Sequence, residues 1–112
     1  GASPPETLPP PLPPSGPANI LALFAVPNPD PSLVSVKLSG PADAIELRLY
    51  SRAMVCLHTY SAEQAWAQGW GQVPLPGHWR PELAPGHYYL RAHARREGSR
   101  GKAQVTSVYF IK

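Results

Sequence analysis

The stretch LVSVKLSGPADAIELRLY, Leu33 to Tyr50, decides the fold class. Val34, Val36 and Leu38 alternate with Ser35 and Lys37. Beyond a turn at Gly40 and Pro41, Ile45, Leu47 and Leu49 alternate with Glu46, Arg48 and Tyr50. A period of two places each apolar set on one face of an extended strand and each polar set on the other, so both segments read as half-buried strands.

The segments on either side continue the pattern. ILALFAV, Ile20 to Val26, reads as a mostly buried strand, and MVCLHTY, Met54 to Tyr60, as another reached by a short connection at 51–53, either a hairpin or a strand-switching bend. SAEQAWAQG, Ser61 to Gly69, is rich in Ala, Glu and Gln and opens on a capping serine, which predicts one helical turn. GWGQVPL carries the next strand, and Pro74 and Pro76, lacking amide donors, assign it to a sheet edge. PGHWRPELAPG reads as a turn-rich loop. HYYLRAHAR and KAQVTSVYFIK are strands joined across REGSRG, where Gly98 and Gly101 supply positive φ. About seven short strands, frequent turns and no long helix predict an all-β domain: an immunoglobulin/fibronectin III-like sandwich over Asn19 to Lys112.

Residues Gly1 to Ala18 differ in composition. The chain of 112 residues holds 16 prolines, and eight fall between Pro4 and Pro17. That density favours polyproline II and reads as a stiff linker; PPPLPP resembles a ligand for a proline-recognising groove but lacks a flanking arginine. Gly1 to Ser3 reads as a cloning scar, with the linker following a larger region of the intact protein. Neither a signal peptide nor a membrane span of about 20 apolar residues is evident. One cysteine, Cys56, excludes an intrachain disulfide and a multi-cysteine zinc cluster. The net charge of +3 is too small to nominate nucleic acid as a partner.

No catalytic constellation stands out. His58, His78, His87 and His93 are the candidate imidazoles; His87 and His93 share a strand face but lie about 20 Å apart at strand spacing, too far to hold one ion. They are expected on an exposed face, with no metal and no cofactor. The acids Asp30, Asp43, Glu46, Glu63, Glu82 and Glu97 are scattered and read as solvated, mostly in turns, with no spacing that pairs two carboxylates. Cys56 is expected to be a small buried thiol rather than a nucleophile. The chain is therefore not expected to be an enzyme.

Two groups of side chains are candidates for binding. Trp66, Trp70 and Trp79 fall within fourteen residues, and with Tyr89 they are a candidate platform for the apolar face of sugar rings. The structural alternative makes Trp70 core and Trp79 a staple for the long loop. Arg91, Arg95, Arg96, Arg100 and Lys102 gather around the last hairpin as a candidate grip for phosphate or an acidic glycan; the plainer reading is a solvated edge that prevents strand-to-strand aggregation.

In order, VPNPDPSLVSVKL, IELRLYSRAMVCL, GWGQVPL, LAPGHYYLRAHA and SVYFIK resemble the immunoglobulin-like C-terminal domain of flagellar hook-capping proteins and the similar domains that end many secreted and surface bacterial proteins. The likeness runs from about Ala25 to Lys112. Pro27, Asn28 and Pro29 stand where the family enters its first paired strand, and Gly86, Tyr88 and Tyr89, after Leu83, Ala84 and Pro85, match its turn into the penultimate strand. A tyrosine there buries its ring while its hydroxyl meets a backbone partner. YSRAMV departs from the Asp and Gly-Arg that members often carry after the third strand, so no role of that turn transfers.

The resemblance implies a non-catalytic accessory module, extracytoplasmic, serving assembly, surface anchoring or secretion through a protein partner; the isolated domain is expected to be monomeric. The alternative is a carbohydrate-binding module with a polysaccharide partner.

Overall fold

The computed structural model describes residues 17–111. The linker expectation for Gly1 to Ala18 lies almost wholly outside them. Its last residue, Ala18, is described and is buried in the core.

Among the described residues eight strands form in order: β1 (Ile20–Val26), β2 (Leu33–Leu38), β3 (Ala42–Tyr50), β4 (Cys56–Trp66), β5 (Gly69–Pro74), β6 (Gly86–Arg96), β7 (Ser99–Arg100) and β8 (Gln104–Phe110). A four-residue helix, α1 (Trp79–Glu82), lies between β5 and β6. One antiparallel sheet has the order β1-β2-β5, and the other runs β4-β3-β6, with β7 and β8 both pairing with β6. The two layers make an immunoglobulin/fibronectin III-like sandwich.

The alternation read from the sequence builds the core. Val34, Val36 and Leu38 of β2 and Ile45, Leu47 and Leu49 of β3 are all at most 1% exposed; Val73, Leu90, Ala92, Val108 and Phe110 fill the same interior. Burying a side chain of this size contributes about 1.5–3 kcal/mol, so the two alternating segments supply much of the drive to close the layers.

Three expectations are corrected. Ser61 to Trp66 is the second half of β4, not a helical turn: Ala62 pairs with Ile45 and is buried, and this tertiary pairing overrides the helix preference of Ala, Glu and Gln. Met54 and Val55 belong to the β3–β4 hairpin connection, where Met54 has φ of 63° and donates its N–H to the Ser51 carbonyl. β1 is half-buried rather than mostly buried. Ile20 and Leu23 face the core, whereas Leu21, Phe24 and Val26 are exposed because no layer covers the outer side of this sheet.

Both long margins of β8 are occupied. Its inner margin pairs with β6. On its outer margin Asn28 Oδ1 accepts from the Tyr109 N–H, Asp30 Oδ1 accepts from the Ile111 N–H, and the Asp30 N–H donates to the Tyr109 carbonyl. The Pro27–Asn28–Pro29 element thus lays its polar residues along the sheet edge; the bonds preceding both prolines are cis.

At the other end, Asn19 joins the layers. It exchanges two hydrogen bonds with Ser39 and accepts from the Lys102 N–H through Oδ1, while the Ile20 N–H donates to the Lys102 carbonyl. Gly98 has the expected positive φ, 80°, but Gly101 has a different role. A Cβ on it would lie 1.6 Å from the Ala18 carbonyl oxygen, so only glycine lets the leading chain cross there, where β7 gives way to β8.

Candidate functional site

The four aromatic candidates are not brought together. Trp66 is in the core, where its ring occupies space left by Gly71 and its indole N–H donates to the Ala62 carbonyl. Trp79 is 2% exposed and stacks on His58 at 5.5 Å, fastening the β5–β6 connection as the loop-staple reading expects. Tyr89 lies on the outer face of the larger sheet, opposite Tyr50 and Ser107. Trp70 alone of the tryptophans is open, at 57%. This corrects its assignment to the core: alternation about the inward-facing Val73 and Gly71 turns Trp70, Gln72 and Pro74 outward.

Trp70 has a partner that the sequence does not advertise. Phe24, 55% exposed, stacks on it with centroids 5.8 Å apart and planes 23° from parallel. The two rings meet across β2, where Lys37 Nζ stands 5.9 Å from the Trp70 ring. Register sets the rest of this face: Val26, Leu33 and Pro74 form an apolar row, Phe24, Ser35 and Gln72 the next, and Ala22, Lys37 and Trp70 the third. The outer face of the three-stranded sheet is thus an apolar ledge with polar groups between its rings. The signal for Phe24 lay in ILALFAV, whose apolar residues occupy both faces and so conceal which side meets solvent.

A concave feature adjoins the sandwich end. A pocket of about 240 Å³ is lined by Pro31, Ser32, Leu75, Pro76, Trp79 and Phe110, among others. It is below the roughly 300–1,000 Å³ of ligand sites and suits one apolar side chain. In its wall, the Trp79 indole N–H is buried without a hydrogen-bond partner among the described residues.

The basic group is extensively paired. Arg95 holds Glu63 through two contacts of 2.5 and 2.6 Å and reaches Glu46 at 3.5 Å; Arg100 Nε also lies 3.5 Å from Glu46. The Arg95 guanidinium, with Ser61, holds the Glu63 carboxyl below the usual range. Arg91 and Lys102 remain exposed, and Arg96 is half-buried. Outer-face residues Glu46, Glu63, His93 and Arg95 therefore form a charge network rather than an open cationic surface.

His93 corrects the exposed-histidine expectation. It is 5% exposed and contacts Glu46, which is itself largely covered and so is not a solvated turn residue. Burial pulls the His93 pKa down, with Glu46 opposing. Cys56 is exposed rather than buried, since it starts β4 beside the hairpin connection. Among the described residues, no group of three His, Cys, Asp or Glu side chains could hold a metal, and no helix is long and apolar enough to cross a membrane.

No protein-family model matches the chain, and no curated protein matches it in sequence.

Proposed function

We propose that the chain is a non-catalytic accessory interaction module at the C-terminus of a larger extracytoplasmic bacterial protein, docking onto a protein partner in assembly, surface anchoring or secretion. The exposed Phe24–Trp70 stack carries this reading. Two large rings left in water on a face that the core does not need have a cost in solubility and suit a partner that covers them. The ordered resemblance of PNPDP, LAPGHYYL and SVYFIK to C-terminal modules of secreted proteins supplies the extracytoplasmic setting. Tyr88 supports it locally: its ring is buried and its hydroxyl donates to the Ala84 carbonyl, the corner arrangement that the resemblance implies.

The test is to express the parent protein in its own organism with Phe24→Ala and Trp70→Ala together and to fractionate the cells. Loss of surface retention or export with upstream activity intact supports the reading. Unchanged distribution, with the variant folded, removes it.

A second reading, carbohydrate binding, draws on the same rings, since Ser35, Lys37 and Gln72 stand beside them as hydrogen-bonding groups. Retention on insoluble cellulose, xylan or chitin that vanishes with Trp70→Ala selects it. Absence of retention on all three eliminates it.

A further inference from the structure

The margins of the two sheets are not protected alike. β5 carries Pro74, and the outer margin of β8 is taken up by Asn28 and Asp30. β4 lies at the end of its sheet, and its eleven residues, CLHTYSAEQAW, include no proline and no lysine or arginine. These are the residues by which natural sheets keep edges from pairing. Its one charge, Glu63, is held by Arg95.

Which amides face outward follows from the main-chain hydrogen bonds: the Gly101 N–H donates to the Ala94 carbonyl, so Ala94 faces β7 and His93 faces β3, and the Ser51 N–H donates to the Val55 carbonyl, so Ser51 faces β4. Sides alternate along a strand, so Glu46 faces His93 on β6 while Ile45, Leu47 and Leu49 face their partners Ala62, Tyr60 and His58 on β4. Thr59, Ser61 and Glu63, which alternate with those residues, therefore turn their main chains away from β3. Ser61 is the centre of the open edge. Pairing with β3 is regular from His58 to Glu63, so this part of the edge is straight enough to template a further strand.

We infer that β4 pairs antiparallel with β4 of a second copy, about a twofold axis through Ser61. Among self-pairings, this register matches the side chains best. On the outer face Glu63 meets Thr59 of the second copy, so the single carboxylate faces a hydroxyl and never its twin. On the inner face the Tyr60 ring meets the small Ala62. An axis through Tyr60 would instead oppose two tyrosine rings and set Glu63 against Leu57. In the Ser61 register Ser61 faces its own copy in a hydrogen-bonded pair, where Cα atoms are about 5.5 Å apart, and Tyr60 meets Ala62 in a non-hydrogen-bonded pair.

A pairing of one strand with another buries little, under about 1,200 Å², which places the dimer among weak, concentration-dependent associations. It departs from the expectation of a monomeric domain and rests on the margins of the larger sheet, not on the Phe24–Trp70 face.

Sedimentation equilibrium of the full chain from 10 µM to 1 mM tests it. The expected result is a weight-average mass rising from 12.1 kDa toward twice that value, and remaining at 12.1 kDa for Ser61→Lys, which sets two ammonium groups face to face. In a Cys56→Ser background, Ser61→Cys is expected to form an intermolecular disulfide on mild oxidation at least tenfold faster than Thr59→Cys or Glu63→Cys alone. An equimolar mixture of the latter two is expected to cross-link with each other. A constant mass to 1 mM in the wild-type chain overturns the dimer. Fastest cross-linking at a position other than Ser61 overturns the register.

Discussion

Glu46 and His93 stand opposite one another on β3 and β6, and their side chains meet on the outer face of the sheet, the imidazole almost wholly covered. Burial holds His93 below its ordinary value of 6.5, and the Glu46 carboxylate offsets this only in part. As pH falls through about 6.5, the unfolded chain takes up a proton that the folded chain resists. Stability is therefore fully present above that pH and falls on acidification. Urea midpoints are expected to decrease from pH 7.5 to 5.5 in the wild type and to change less in His93→Asn; a wild-type midpoint that is flat or rises on acidification contradicts the assignment.

Trp70 and Trp79 separate binding from folding. Trp79→Ala empties a core position and is expected to lower stability by about 3–5 kcal/mol. Trp70→Ala removes an exposed ring and is expected to lie within about 0.5 kcal/mol of wild type. Equal losses in chemical denaturation would show that Trp70 is structural and would remove the main support for the docking face.

Tyr88→Phe tests the corner. The ring packs edge-on against Phe110 and is retained, while the bond to the Ala84 carbonyl is lost. A loss of about 0.5–1.5 kcal/mol is expected. No loss would mean that the hydroxyl bond contributes nothing beyond what water supplies.

Much of this arrangement is legible in the chain because it is local. The alternation at Val34–Leu38 and Ile45–Leu49 names the inward residues directly, and Pro74 marks its own strand as marginal. What was not legible depends on partners distant in sequence. Ala62 becomes strand because Ile45 receives it, and His93 is covered because Glu46 and Arg100 converge on it from other strands. The candidate site was half legible: Trp70 belonged to the predicted aromatic set, but Phe24 joins it only through the register of β1 and β5 on β2.

Gly101→Ala is expected to lower stability by about 1–3 kcal/mol, through overpacking against the Ala18 carbonyl. Gly77→Ala, where a Cβ meets nothing within 4 Å, is the matched control and is expected to be neutral or slightly stabilising. Similar thermal midpoints for the two variants would show that the leading chain moves aside freely.

The bonds around Asn19 also determine how the domain bears load. A pull entering through Pro17 reaches Ser39 and Lys102 at the same time, one in each layer, through hydrogen bonds of 2.8 to 3.1 Å. Tension is shared between both sheets before β1 can peel from β2, so the point of entry acts as a rivet rather than the loose end of a zipper.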